Sequence, residues 1–296
     1  MPLTELMNYF NDQLQTQARL RELPKTGFFK ADNQYWARFG NLILGSQFAE
    51  ILSANDDQLI GHYADLFVRS STGNLLNIDN IVNALEDKEQ IIHLDRLVRT
   101  LHSLNYLQQH DGFKGLLALR VQSRHILSVA NEHGKTFEKI LSDCGLGPER
   151  VVLHTKLVDV DSLAHFQQAL SNYRERQYRI GISLQDARDW EMLRLLELQP
   201  DYIFSNPVLV QQLVDNPNNP LGSTRILVAA SGELSQYQLA QLSSTRFEGY
   251  VQLQPTQSAT SYTQLHAEHS QLPAKKQPEF AQPHEIKLDD EPRLAG

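Results

Sequence analysis

The sequence predicts an α/β fold: an irregular TIM-like (β/α)8 barrel with one antiparallel strand, an N-terminal helix and a disordered C-terminal tail. Three observations carry this. Eight short apolar runs have strand character, and the last six alternate with helical patterns. The first two runs, 42–52 and 62–69, are separated by a polar link too short for a crossover helix, so they must pair antiparallel. After Pro255 the apolar periodicity stops. The chain therefore divides into an N-terminal helical extension over 1–40, a barrel over 41–255 and a tail over 256–296. An open doubly wound sheet is the architectural alternative.

In chain order, residues 3–22 read as a helix with Leu3, Leu6, Met7 and Phe10 as its apolar patch. Residues 19–30 are basic, contain Pro24 and Gly27, and read as a connector. The two antiparallel strands follow, then a turn at 70–73. Residues 86–109 form an amphipathic helix striped by Ile91, Leu94, Leu97, Val98, Leu101 and Leu104. A strand over 116–121 leads to a helix over 123–141, with Gly145 placed to cap it. A strand at 151–153 and a helix at 161–173 come next. Residues 178–206 are a compact strand–helix–strand unit: an apolar run to Leu184, a helix bearing Trp190, Leu193 and Leu196, the stop at Pro200, and a second run at 202–204. A short helix at 207–214, a loop at 216–222, a strand at 225–230, a helix at 234–242 and a strand at 249–253 complete the barrel.

Composition narrows the function. The chain has 296 residues, 41% hydrophobic, with a formal net charge of −8 from 27 Lys+Arg against 35 Asp+Glu. No basic run marks a nucleic-acid surface. The single cysteine, Cys144, excludes an intrachain disulfide and reads as a small core or loop residue. The first residues lack a basic region followed by an apolar core, and no apolar run reaches the ~20 residues of a membrane helix. These features predict a soluble, cytoplasmic protein with no membrane association. His266 and His269 stand at i, i+3 in the tail and read as solvated rather than metal-binding.

In β/α barrels chemistry sits just beyond the C-terminal ends of the strands. In the 178–206 unit those positions hold Ser183, Gln185, Asp186, Ser205 and Asn206, a weak set for catalysis. The order of elements over about 40–255, together with local strings, resembles the EAL domain family. Its members are irregular β/α barrels that hydrolyse cyclic di-GMP with divalent metals. The family's Glu-Ala-Leu-x-Arg string stands here as Asp65-Leu66-Phe67-Val68-Arg69. Its Asn-x-Ser is Val121-Gln122-Ser123, and its Glu-x-Thr-Glu is His154-Thr155-Lys156-Leu157. Its Asp-Asp-Phe-Gly is Ser183-Leu184-Gln185-Asp186, and its Lys-x-Asp is Phe204-Ser205-Asn206. Its Glu-Gly-Val-Glu is Ala230-Ser231-Gly232-Glu233, and its Gln-Gly-Tyr is Glu248-Gly249-Tyr250.

The resemblance implies a site for two divalent metals, which needs oxygen ligands, mostly carboxylates. The corresponding positions here are Asp65, Val121, His154, Ser183 and Leu184, with Phe204 in place of the lysine beside the attacking water. One carboxylate cannot hold two hard cations. The expectation is therefore no catalytic residue, no metal and no cofactor. Asp65 reads as the partner of a nearby arginine rather than as a remnant ligand. Arg69 is open between gripping a phosphate and either pairing with Asp65 or lying at the rim. Glu233 and Glu248 keep an acidic rim, with solvated loop charge as the plainer reading. If cyclic di-GMP binds, Arg69, Asp65, Glu233 and Glu248 are the candidate contacts. His154 with Asp186 is a further candidate for a single-metal or acid–base site. The functional expectation is an inactive EAL-like domain that regulates through a protein partner, with the N-terminal helix and tail as contact segments. A non-hydrolysing cyclic di-GMP receptor is the alternative, an active phosphodiesterase ranks third, and a homodimer is left open.

Overall fold

The computed structural model describes residues 3–129, 138, 141–142, 145–158, 162–195, 198–214, 224–231 and 247–253. The body containing them spans Met1–Ser258; a second unit, Ala259–Gly296, lies outside the described residues, as do Cys144, Glu233, His266 and His269.

Eight strands close the barrel: β3 (Leu42–Ser53), β4 (Leu59–Arg69), β6 (Leu116–Arg120), β7 (Val151–Lys156), β8 (Arg179–Ser183), β9 (Tyr202–Ser205), β10 (Arg225–Ser231) and β11 (Phe247–Leu253). From β4 through β11 neighbours run parallel. Strand β3 is antiparallel to both β4 and β11, and so is the one reversed stave. The cause is the short 54–58 link, which permits only a hairpin. Helix α4 (Ser123–Ser128) follows β6, α5 (Leu163–Glu175) follows β7, α6 (Ala187–Leu195) follows β8 and α7 (Pro207–Val214) follows β9. Gly145 has φ +75°, and the Leu146 N–H reaches the Leu141 carbonyl at 2.9 Å, the closure expected of a glycine helix cap.

Residues 1–40 are more than a helix and a connector. Helix α1 (Leu3–Leu20) leads into a hairpin of β1 (Thr26–Ala31) and β2 (Gln34–Phe39), and β2 pairs with the first half of β3. Asp32 and Asn33 both have positive φ, 48° and 58°, as a two-residue hairpin turn requires. At the other end of the sheet, β5 (Leu75–Leu76) pairs with β4 and leads into α2 (Ile78–Ala84). The apolar face of α1, Leu6, Phe10 and Leu14, packs with Phe28, Tyr35, Phe39 and the long helix α3 (Lys88–Gln109) in one core cluster. That face is thus buried in the chain's own body and is not offered to a partner.

Two asparagines complete this packing by imitating a neighbouring strand. Asn11 of α1 accepts from the Phe28 N–H (2.6 Å) and donates to the Phe28 carbonyl (2.9 Å), covering the outer edge of β1. Asn105 of α3 accepts from the Tyr35 N–H and donates to the Tyr35 carbonyl, both at 2.8 Å, where β2 has parted from β3. This layer covers the apolar stripe of α3, and the helix is buried on a second face as well, where Asp95 and Arg99 meet His125 of α4 and His102 meets Ser46 of β3. Asp95, Arg99, His102 and Asn105 are all buried. Asp95 pairs with Arg99, and His125 lies 3.2 Å from Arg99 and 3.4 Å from Asp95. Such a buried set persists because its charges are paired.

Candidate functional site

The barrel interior is apolar at mid-height, with Ile51, Val152, Tyr202, Leu227 and Val251 among its fillers. Alternation along each strand then brings Tyr63 and Asp65 of β4, Arg120 of β6, His154 and Lys156 of β7, Ser183 of β8 and Phe204 of β9 toward the C-terminal mouth.

His154 is buried and packs against two rings in a triangular cluster, with centroids 5.0 Å from Tyr63 and 4.6 Å from Phe204. Tyr63 and Phe204 are themselves 6.0 Å apart. Gly181 makes room for this cluster: a Cβ there would lie 2.7 Å from both the His154 Cβ and the Phe204 ring. The His154 Nδ1 is 3.1 Å from the Ser183 hydroxyl, while its Nε2 is buried and has no hydrogen-bond partner among the described residues. Burial, reinforced by the Arg120 charge, pushes the imidazole down to about 3. At neutral pH it is uncharged and a poor proton carrier. Burial, and then Asp65, push the Tyr63 hydroxyl up to about 12.

The charged rim of the mouth is built on Arg120. Its Nη2 donates to both oxygens of Asp79 on α2, at 2.7 and 2.9 Å, and Lys156 donates to the same carboxylate at 3.2 Å. Burial alone would raise the Asp79 carboxyl, but the two cations together hold it below the usual carboxylate range. Asp65 is exposed by area yet ringed by the walls of the mouth. That confinement raises its carboxyl, against the opposing Leu66 N–H and Arg120 charge.

The candidate residues separate. Arg69 lies four residues beyond Asp65; it is buried, reaches the Gly73 carbonyl at 3.5 Å and sits over the Phe67 ring at 5.8 Å. The cation acting on Asp65 is Arg120. Glu248 corrects the expected acidic rim: it lies at the start of β11, at the barrel end opposite Asp65, and pairs with Arg225 at 2.9 Å. Glu233 lies outside the described residues. Asp186 is turned to Arg188 and the Asp189 N–H, so it makes no pair with His154. Val121 and Leu184 face the outer core. Asn206 accepts from the Leu209 N–H at the start of α7, and the Ser205 hydroxyl donates to the Leu184 carbonyl. Arg120, Lys156 and Asp79 escaped sequence reading, because their meeting depends on strand facing and on a helix far away in sequence.

Two hard cations require several convergent carboxylates. The described mouth holds Asp65 and Asp79, the latter already paired, beside two protein cations and a neutral imidazole. Among the described residues no group of three or more His, Cys, Asp or Glu is placed to hold a metal ion. The described donors by themselves are too few for a two-metal centre. A guanidinium and an ammonium at one carboxylate are suited instead to holding an oxyanion. Among the described residues no helix is long and apolar enough to cross a membrane.

No family model and no curated protein matches the chain. Solved structures do. BlrP1 of Klebsiella pneumoniae, in a manganese and cyclic di-GMP complex, is 14% identical with a TM-score of 0.56, over 78% of this chain and 58% of that one. The chain thus spans little more than half the length of BlrP1. The FimX EAL domain of Xanthomonas citri, in complex with cyclic di-GMP, is 14% identical with a TM-score of 0.53, over 71% of this chain and 85% of that one. A standalone EAL protein from Vibrio cholerae, in its cyclic di-GMP-bound form, is 10% identical with a TM-score of 0.52, over 71% and 89%. At these identities the shared property is the fold, and it is the fold of EAL domains.

Proposed function

We propose that this chain is a catalytically inactive EAL-like domain that acts as a regulatory protein-interaction module in or near cyclic di-GMP signalling. The observation that carries the reading is the make-up of the barrel mouth. Arg120 and Lys156 sit at the ends of two adjacent strands, and the Tyr63, His154 and Phe204 rings fill the barrel beside them. Hydrolysis by two metals needs anionic ligands around the cations. Resident cations oppose that by direct repulsion.

The second reading is a receptor that binds cyclic di-GMP without cleaving it. In its favour, the three neighbours named above are all cyclic di-GMP complexes. Calorimetric titration with cyclic di-GMP, with and without Mg²⁺, separates the two. The interaction reading expects no micromolar binding in either condition. Metal-independent micromolar binding would replace it with the receptor reading. Affinity capture with the full chain supplies the positive arm: a specific partner is expected, and recovery of none counts against the proposal.

A further inference from the structure

The rim cations point to a ligand of their own. Arg120 ends β6 and lies level with His154 of β7, and Lys156 ends β7, so both are mounted on the barrel wall. Asp79, on which they converge, is mounted quite differently. It sits on the seven-residue helix α2, of which only Val82 is buried, just after the exposed Leu75 and Leu76 of β5. Beneath α2 is a cavity of about 40 Å³ lined by Ile78 and Val82 from the helix and by Asp65, Arg120 and Gln122 from the mouth. That is room for about two or three waters. The carboxylate engages only one nitrogen of the Arg120 fork, together with Lys156. A terminal phosphate presents three oxygens, enough for two fork nitrogens and the ammonium at once. A phosphodiester presents only two.

We propose that Arg120 and Lys156 form a binding site for a terminal phosphate, as in inorganic phosphate or a phosphate monoester, and that Asp79 is its built-in occupant. The strands that carry both cations keep their places while ligand and Asp79 exchange. Ligand entry therefore releases α2 from the mouth. The Asp65 charge tempers the site, since Arg120 acts on it as well. This inference does not rest on the proposed function, because it involves neither dinucleotide binding nor a protein partner.

The test is calorimetric titration of the full chain with inorganic phosphate at ionic strength matched with chloride. An internal competitor at high effective concentration weakens apparent affinity, so Asp79→Asn is expected to bind phosphate at least about tenfold more tightly than the natural chain. Adding Lys156→Gln to Asp79→Asn should abolish the gain. Dimethyl phosphate, a diester, should bind more weakly than phosphate to Asp79→Asn. Equal phosphate affinity in the natural chain and Asp79→Asn would overturn the proposal, as would a gain that survives Lys156→Gln. Dimethyl phosphate binding as tightly as phosphate would overturn the terminal-phosphate assignment. A second measurement uses the natural chain alone, so the proposal does not hang on the folding of a variant. Hydrogen exchange over 78–84 should quicken with phosphate relative to chloride, and unchanged exchange contradicts the displacement of Asp79.

Discussion

Replacing Asn105 by Ala should destabilise the protein more than removal of any other single polar side chain in the N-terminal layer. Asn105 is fully buried and bonds both backbone groups of Tyr35, with a further contact to the Ser46 hydroxyl at 3.3 Å. Tyr35 is itself completely buried, so bulk water does not reach the lost partners. Two buried backbone groups left unsatisfied, at about 1–3 kcal/mol each, predict a loss of about 3 kcal/mol. For a body of this size that corresponds to roughly 6–12 °C in melting temperature. Asn11→Ala is the internal control: it removes the equivalent clamp on Phe28 at a half-buried edge, where water can enter, and should cost about 1 kcal/mol. Urea titration followed by far-ultraviolet circular dichroism reads both. An Asn105→Ala loss below that of Asn11→Ala would refute the argument that α3 serves as a substitute strand for β2.

Two further predictions concern the histidines and the aromatic cluster. Burial holds His62, His93 and His102 down to about 4 and His154 to about 3, all below the unfolded value of 6.5. Their contribution is therefore fully present above pH 6.5 and is lost as pH falls from 6.5 toward 4. At about pH 5 each would cost up to ~2 kcal/mol, so the urea midpoint should drop steeply between about pH 7 and 5. A flat midpoint over that range contradicts the burial of these rings. Gly181→Ala places a methyl group against His154 and Phe204. It should cost about 1–3 kcal/mol in thermal melts, and a neutral result would mean that the cluster has slack the structure does not show.

Much of the barrel was legible because its signals are local. The short 54–58 link fixes an antiparallel pair, and the apolar runs ending at Leu184 and Phe204 flank a helix stopped by Pro200. The β1–β2 hairpin was legible too, in Asp32-Asn33 between two aromatic runs, but the nearby basic residues and Pro24 suggested a connector. The polar burial of α3 was not legible, because a helix reveals its own stripe and not what will cover its other side. The mouth failed by a single residue. A strand reverses face at every step, so Arg120 looks into the mouth while Val121 looks into the outer core. Glu248 failed for a different reason: it lies at the start of its strand, and chemistry gathers where the strands end.

We propose that this EAL-type barrel does not cleave the phosphodiester of cyclic di-GMP. The direct measurement is incubation of the full chain with cyclic di-GMP and Mn²⁺ or Mg²⁺, with chromatography for the linear dinucleotide. No product above a protein-free control is expected with either metal. Metal-dependent product that disappears in Asp65→Asn would contradict it.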